Sequence, residues 1–289
     1  MDIKQSKQWG AYLKTLGWHS EYIPQAIRIK KLLFWSIIKI QRPQKVSTEF
    51  LKKVDVLAKE NKALFVKIEP DFNTEEKIFS DCGYHKSNEP LSTTKTIIID
   101  LNPNLEELLK TFSKDTRQKI KHVPENIQIS TEKLQDIKKL KDFYTLFAKT
   151  GKQKKFWVPS FKEIEGKARS FINFGFIITL YQEKKPAATV FILIENKTAY
   201  YEHAAYDPTL TKDGPYLLLW ELIKECKKRN LCNLDLCGIY DERFSEKTKR
   251  WKNFTIFKNK WGGDVLSYPV PYTKYYPKNF IPLIPFLFL

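Results

Sequence analysis

Apolar residues recur every three to four positions in several stretches of the chain, a spacing typical of helices that bury one face. The clearest stretch is residues 48–61, where Phe50, Val54 and Leu57 fall on one side and Ser47 is placed to cap the first turn. The same reasoning predicts further helices over residues 6–16, 74–82, 104–122, 132–149 and 245–252, and one that begins at Pro215.

Shorter apolar runs bounded by turn-forming residues predict strands. Three such runs, at residues 174–182, 188–195 and 198–206, are separated by tight turns and indicate an antiparallel meander. Further strands are predicted over residues 32–40, 63–68, 95–101, 233–237 and 254–258.

The order strand, loop, helix, strand occurs twice, once around the helix at 48–61 and once around the helix that begins at Pro215. Two copies of one α+β unit, with mixed sheets flanked by helices, are therefore predicted. We place the first domain at residues 1–125 and the second at 126–268. The apolar tail, residues 269–289, is expected either to pack on the first domain or to dip into a membrane interface.

Composition points to a globular protein with a polyanionic partner. The chain is 42% hydrophobic and 14% aromatic, and its 50 Lys and Arg against 33 Asp and Glu give a net charge of +17. Such an excess suits nucleic acid, a phosphorylated substrate or an anionic membrane. The alternative is a lysine-rich protein whose charges solvate helix faces.

Metal, disulfide and targeting signals are weak. The four cysteines form no C-x-x-C pair and the four histidines are dispersed, so we predict reduced thiols and no metal site. The polar N-terminus does not resemble a signal peptide, and the apolar run at residues 32–38 is too short to span a bilayer. We expect a cytoplasmic monomer, with peripheral membrane contact as an option.

One lysine stands out because it follows an apolar run directly. Lys258 comes after Phe254–Phe257 and is followed by Trp261, Gly262 and Gly263. A buried ammonium is costly unless it has a partner, and one use for it is to stabilise negative charge that develops on a substrate. The alternative is a surface lysine between aromatic residues.

Two basic segments are candidates for binding phosphate. The end of the helix at 104–122 carries Arg117 and Lys121, which suit phosphate groups unless they only solvate the helix end. Residues 151–157 combine Lys154 and Lys155 with aromatic neighbours, as expected for a nucleotide or an RNA end. An anchored, lysine-rich loop is the alternative there.

A set of ordered motifs gives the chain a family resemblance. The motifs are Thr96–Leu101, Glu106–Leu109, Ser113–Lys121, Ala187–Ala188, Tyr200–Tyr206, Leu218–Ile223, Leu234–Gly238 and Phe257–Gly263. With this set, from about residue 90 to residue 275, the chain is similar to the Fem family of peptidoglycan-bridge aminoacyltransferases (FemABX-type), which are tandem GNAT-like proteins. It departs from the family pattern at Trp261, where a Phe is usual, and at Arg42-Pro43, where Gly-Pro is usual.

The resemblance implies transfer of an amino acid from aminoacyl-tRNA to the stem-peptide amine of a cell-wall precursor, lipid II or UDP-MurNAc-pentapeptide. Both substrates are polyanions, in keeping with the charge. No cofactor is implied. The loop at residues 207–215 has one glycine and two prolines, whereas a GNAT enzyme that binds coenzyme A normally has a glycine-rich loop there for the pyrophosphate.

Residue roles follow from the resemblance and from the chemistry of the side chains. By carry-over, Lys258 would stabilise the oxyanion or the terminal tRNA phosphate, and Phe257 would shape the pocket. Asp100, at a strand end, is a candidate base unless it is only a capping carboxylate. The predicted substrate-binding residues are Arg117, Lys121, Lys154 and Lys155 for precursor diphosphate, and Tyr201 and Tyr206 for substrate hydroxyl groups or for sheet packing.

Two rival functions remain compatible with the sequence. One is a GNAT-type N-acyltransferase that uses another acyl donor, such as acyl-CoA or acyl-carrier protein. The other is a non-catalytic basic RNA-binding protein, which would bind tRNA whether or not it is aminoacylated.

Overall fold

The computed structural model describes residues 1–72, 74–121 and 123–276. Two compact units are present, each with a mixed sheet flanked by helices, which confirms the predicted α+β class. The helices are α1 (Lys7–Thr15), α2 (Thr48–Glu60), α3 (Lys77–Asp81), α4 (Leu105–Thr111), α5 (Lys114–Lys121), α6 (Ile137–Lys154), α7 (Phe161–Ser170), α8 (Gly214–Lys228), α9 (Ser245–Thr248) and α10 (Lys252–Asn259). The strands are β1 (Trp18–Tyr22), β2 (Ala26–Lys31), β3 (Ser36–Gln41), β4 (Ala63–Glu69), β5 (His85–Lys86), β6 (Lys95–Asp100), β7 (Ile127–Lys133), β8 (Gly175–Gln182), β9 (Lys185–Glu195), β10 (Thr198–Tyr206), β11 (Asn233–Asp235), β12 (Asp264–Ser267) and β13 (Tyr272–Tyr275).

The first unit comprises residues 1–94 and the described residues from Tyr268 onward. Its sheet has the order β1-β2-β3-β4-β13-β5, in which β3 and β4 pair in parallel. Alternate residues of the central strands face helix α2, as the period of two in a strand requires. The buried side chains of this core include Ile27, Ile29, Ile38, Ile40, Leu51, Val54, Val66 and Ile68.

The second unit comprises Lys95–Ser267. Its sheet has the order β12-β6-β11-β10-β9-β8-β7, with the predicted meander formed by β8, β9 and β10. The turn between β8 and β9 is tight because Glu183 and Lys184 both have positive φ, as a two-residue hairpin turn requires. Helix α8 packs on this sheet through fully buried residues that include Leu219, Leu222 and Ile223.

The predicted duplication is present as two strand–helix–strand segments. In the first unit β3 leads through α2 to β4, and in the second β10 leads through α8 to β11. Both strand pairs are parallel, so each helix connects two neighbouring strands of one sheet. Helix α2 begins where predicted, since the Ser47 hydroxyl accepts a hydrogen bond from the Phe50 amide at 3.1 Å.

The prediction of a strand over residues 254–258 is wrong, because this segment lies in helix α10. Its aromatic and β-branched residues favour a strand when they are considered alone. Phe254, Phe257 and Trp261 nevertheless recur at i, i+3 and i+7, which is a helical spacing. The Thr255 hydroxyl also bonds back to the carbonyl of Trp251 at 2.9 Å.

The single helix predicted over 104–122 is two helices, α4 and α5. Phe112 is extended, with φ −76° and ψ 150°, and ends α4. Ser113 then caps α5, its hydroxyl accepting from the amide of Thr116 at 3.2 Å. A serine inside an apolar repeat therefore marked a break that the repeat concealed.

The unit boundary also falls elsewhere than at residue 125. Strand β6 and helices α4 and α5, which the sequence placed in the first domain, lie in the second unit. Beyond Tyr268, β13 adds to the sheet of the first unit beside β4 and β5. The rest of the predicted tail, from residue 277, lies outside the described residues.

Candidate active site

The Trp-Gly-Gly sequence anchors the end of α10. Trp261 is fully buried, and its ring centroid lies 5.0 Å from that of Phe112. Gly262 and Gly263 have φ of +69° and +85°, a conformation that glycine adopts at low cost. A Cβ at Gly263 would stand 2.6 Å from the carbonyl oxygen of Ile98. These three residues hold the helix against the sheet and thereby fix the position of Lys258.

Lys258 is half-buried and directed at backbone carbonyls that follow β11. Its Nζ donates to the carbonyl oxygen of Gly238 at 2.7 Å and lies 3.4 Å from that of Cys237. Burial lowers the pKa of this lysine to about 8, while the charges of Cys237 and Asp235 act in the opposite direction. At pH 7 the group therefore remains an ammonium, but one that is poorly solvated.

Asp235 and Thr96 hold the backbone to which Lys258 is bonded. The buried carboxylate of Asp235 accepts a hydrogen bond from the amide of Cys237 at 2.7 Å and another from the Thr96 hydroxyl. Thr96 also contacts the Cys237 carbonyl oxygen at 3.1 Å. Cys237 has a positive φ of 58°, which is unusual for a residue with a side chain. These contacts set the direction of the Cys237 and Gly238 carbonyls.

The strands next to this site separate. The parallel pairing of β10 with β11 runs from Thr198 to Tyr200, and a bulge in the pairing of β10 with β9 follows between Tyr201 and His203. The chain after β11 continues along β6, its partner on the other side, with the Leu236 amide donating to the Ile97 carbonyl at 2.9 Å. One strand of the parallel pair therefore diverges from the other at the level of Lys258.

Tyr201 and Phe257 border the same region. Tyr201 packs against the core, and burial, together with the charge of Cys237, raises the pKa of its phenol. The ring of Phe257 meets that of Tyr216, in the first turn of α8, edge-on at 5.1 Å. We refer to Lys258, Phe257, Tyr201, Cys237, Gly238, Asp235 and Thr96 as the Lys258 site.

Asp100 is not brought together with Lys258. It pairs with Asn233, whereas Thr96, near the opposite end of the same strand β6, contacts Asp235 and Cys237. Four residues of strand separate the two positions, roughly 13 Å. Asp100 is exposed, and its carboxylate accepts from the amide of Asn102 at 2.9 Å, so the structure gives it a turn-capping contact.

Arg117 and Lys121 differ in their surroundings. The Arg117 guanidinium donates to the carbonyl of Phe112 at 2.9 Å and lies 3.4 Å from those of Leu109 and Lys110, which satisfies the end of α4. Lys121 is exposed at the end of α5. Arg117 therefore has a structural role that its position in a basic cluster did not reveal.

Lys154 and Lys155 lie at the end of α6 and not in a loop of their own. Both are exposed, and Lys155 ends the helix with a φ of 54°. The ammonium of Lys154 stands 4.7 Å from the ring centroid of Tyr206 and 5.6 Å from that of Phe254, and partial desolvation lowers its pKa. Tyr206 is thus near Lys154, while Tyr201 is near the Lys258 site.

Sequence reasoning assigned no role to Asp235, Thr96 or Cys237. A signal was present for Asp235, because a carboxylate inside the apolar run Leu234–Leu236 has to be buried with partners. No comparable signal marked Thr96, whose contact spans 139 positions of sequence.

Within the described residues, no group of three or more His, Cys, Asp or Glu could hold a metal ion. The Lys258 site instead offers an ammonium, backbone carbonyls, a phenol and a thiol. Such a set can stabilise an anion and bind hydrogen-bond donors. In the same described ranges, no helix is both long and apolar enough to cross a membrane.

Known structures share this architecture over nearly the full chain. FemX is similar over 98% of this chain and 94% of its own, with a TM-score of 0.82 at 14% identity. The chain has a FemABX-type tandem GNAT fold. A family model described as an acetyltransferase (GNAT) domain matches residues 110–253. No curated protein matches the chain by sequence.

Two further solved structures resemble this fold at lower TM-scores. The C-terminal domain of a protein described as a lysylphosphatidylglycerol synthetase, from Agrobacterium fabrum, has a TM-score of 0.68 at 11% identity, covering 94% of this chain and 88% of that one. A tandem GNAT protein from the clavulanic acid biosynthesis pathway has a TM-score of 0.55 at 10% identity, covering 86% and 78%. At these identities the likeness establishes the fold, and the family model supports a GNAT-type acyltransferase.

Proposed function

We propose that this protein is an aminoacyltransferase that moves an amino acid from aminoacyl-tRNA to the stem-peptide amine of a peptidoglycan precursor, lipid II or UDP-MurNAc-pentapeptide. The observation that carries the proposal is Lys258, a poorly solvated ammonium fixed where two strands of a FemABX-type fold diverge. The net charge of +17 supports two polyanionic substrates.

The reaction is the aminolysis of an ester. The neutral amine of the stem peptide attacks the aminoacyl carbonyl, and a tetrahedral oxyanion forms. The ester C–O bond then breaks, the tRNA leaves as its ribose hydroxyl, and an amide remains. The amine loses one proton and the leaving ribose oxygen gains one.

Lys258 supplies positive charge to this oxyanion or to the terminal tRNA phosphate. Its Nζ is already oriented by the Gly238 carbonyl, 2.7 Å away, so little reorganisation is needed as charge develops. Phe257 shapes the pocket against Tyr216. Since Asp100 lies at the far end of β6, the tRNA ribose or phosphate is the acceptor we propose for the proton of the amine.

The precursor and the location of the protein are also proposals. Lys121 remains our candidate for precursor diphosphate, while Arg117 is engaged at the end of α4. Tyr201 is proposed to contact a substrate hydroxyl near Cys237. We propose a cytoplasmic monomer that needs no cofactor and contacts the inner membrane face when the precursor is lipid-linked.

The test is a transfer assay with mixed aminoacyl-tRNAs and either UDP-MurNAc-pentapeptide or lipid II. Mass spectrometry should detect the precursor with one added amino acid, and the mass should identify that amino acid. Transfer from an acyl-CoA in place of aminoacyl-tRNA would favour the first rival function, and a thermal-shift screen with CoA esters would give an independent readout. Binding of charged and uncharged tRNA without any transfer would favour the second.

A further inference from the structure

An exposed basic and aromatic surface lies beside the Lys258 site. It is formed where the end of α6 meets the region of α10, and we call it the α6–α10 surface. Its members are Lys154, Lys155, Trp157, Arg250 and Phe254, all of them exposed.

Contacts connect four of these residues, and Trp157 follows Lys155 by two positions in the chain. The ammonium of Lys154 lies 5.6 Å from the ring centroid of Phe254. The guanidinium of Arg250 reaches the carbonyl oxygen of Lys155 at 3.5 Å, which brings the segment before α10 against the end of α6. Phe254 precedes Lys258 by one helical turn, so both lie on the same side of α10. The surface therefore leads directly to the Lys258 site.

The composition of the surface is unusual for a solvated face. Trp157 is 75% exposed and Phe254 is 42% exposed, although large aromatic groups are normally buried. Within the described residues, Lys154, Lys155 and Arg250 form no ion pair with a carboxylate. Unpaired cations and exposed rings together suit a partner that brings both phosphates and flat apolar groups.

We propose that the α6–α10 surface binds the single-stranded 3′ end of the donor tRNA, with bases stacked on Trp157 and Phe254 and phosphates held by Lys154, Lys155 and Arg250. This inference rests on the proposed function and assigns Lys154 and Lys155 to the RNA instead of the precursor. Stacking on aromatic rings and contact with cations are the two means by which proteins hold single strands without reading their sequence. A strand bound in this way delivers its terminal ester to Lys258.

An anionic membrane is the competing partner, because Trp157 and Ile256 of α10 are apolar and exposed. Lys154 argues for RNA, because its ammonium lies near both Tyr206 and Phe254 and prevents the aromatic side chains from forming a continuous apolar patch. Membrane binding is therefore treated as an outcome of the test.

The test compares Phe254→Ala, Lys154→Ala and Arg250→Ala with two matched controls. Phe174→Ala removes an aromatic ring of nearly equal exposure, 43% against 42%, and Lys162→Ala removes an exposed lysine of α7. Affinity for a short single-stranded RNA is measured by fluorescence anisotropy over a range of salt concentrations. Thermal denaturation checks that every variant is folded.

We expect Phe254→Ala to weaken RNA binding by about five- to a hundredfold, as the loss of one stacked base does. Lys154→Ala and Arg250→Ala should each reduce the slope of log affinity against log salt by about 0.7. The two control variants should bind like the wild type. In the transfer assay the surface variants should raise the KM for aminoacyl-tRNA.

The outcomes separate this inference from the proposed function. If the wild type transfers amino acids and the surface variants have an unchanged KM and RNA affinity, the surface assignment is overturned while the function stands. If RNA binding depends on the surface but no transfer occurs, the function fails and the surface survives as an RNA site. If the variants lose binding to vesicles of phosphatidylglycerol and not to RNA, the surface contacts membranes and the inference is wrong.

Discussion

Replacement of Lys258 by methionine separates its chemical role from its structural one. Methionine keeps much of the length and packing of the side chain but removes the ammonium that donates to the Gly238 carbonyl. If that ammonium stabilises the oxyanion, its loss should lower transfer by about 10²–10³, or about 3–4 kcal/mol of transition-state stabilisation. Lys258→Ala should lose at least about a hundredfold for the same reason.

The free energy of unfolding of Lys258→Met should not fall with its activity. The pKa of Lys258 is lowered from 10.5 to about 8, so at neutral pH the charged form is less stable in the folded protein than in the unfolded chain by roughly 3 kcal/mol. The side chain is half-buried, which reduces that cost, and the hydrogen bond that methionine cannot make is worth about 1 kcal/mol. We therefore expect Lys258→Met to be as stable as the wild type at pH 7, or more stable by about 1 kcal/mol.

The pH dependence provides an internal check. Between pH 8 and 10.5 the unfolded chain holds a proton on Lys258 that the folded chain has released, so the wild type should gain stability as pH rises through this range. The methionine variant should lack that gain. Thermal denaturation at several pH values measures it, and single-turnover transfer measures the activity.

A matched control is Lys260→Met, since Lys260 lies two residues further on and pairs with Asp115 at 2.7 Å. It should retain transfer. Near-normal turnover of Lys258→Met would remove Lys258 from the mechanism. A large loss of its stability at pH 7 would mean that the ammonium is mainly structural, and the argument from burial would fail.

Three further predictions follow from individual contacts. Transfer by the wild type should fall as pH rises above about 8, where Lys258 loses its proton, and Lys258→Arg should move that decline upward because a guanidinium stays charged; a pH–rate profile measures both. Gly263→Ala should lower the melting temperature by several degrees, since the new Cβ meets the Ile98 carbonyl 2.6 Å away at a positive φ; calorimetry would show it. Asp207, whose pKa Lys149 and Thr209 lower to about 2, stabilises the fold above about pH 4 and loses that effect as pH falls toward 2, so Asp207→Asn should flatten acid denaturation in that range.

The sequence predicted the fold well where periodicity and local chemistry agreed. Helix α2, its Ser47 cap and the three-stranded meander lie close to their predicted bounds. Each depends on residues near one another in sequence. Prediction failed where local propensity and the observed structure conflicted, as in α10. Its aromatic and β-branched residues favoured a strand, but they lie in a helix in which Phe257 contacts the buried Trp261 while Phe254 and Ile256 are exposed.

The site was only partly predictable for the same physical reason. Lys258 could be recognised because a lysine after an apolar run is unusual, and the motif around it adds Trp261 and two glycines. Its partners could not be found from local pattern, since Asp235 and Thr96 meet only when β11 and β6 pair. Clusters of basic residues were the least informative signal for the site. The Arg117 guanidinium bonds to a carbonyl at the end of α4, and the Lys154 ammonium lies against an aromatic ring.

The roles of the residues in the Phe257–Gly263 motif follow from the free-energy cost of placing a charged lysine where water is partly excluded. A partly desolvated ammonium is unfavourable in a folded protein, so the elements that carry it must be fixed by residues that gain from burial or from backbone geometry. Trp261 supplies the buried area, and Gly262 and Gly263 supply a backbone path close to Thr111 and Ile98 that a Cβ would obstruct. The reactive lysine and the structural residues lie in one short segment. A helix of about two turns is rigid, so residues that anchor its end also fix the position of Lys258. On this reasoning, substitution of Trp261 should displace Lys258 and reduce transfer in protein that is still folded.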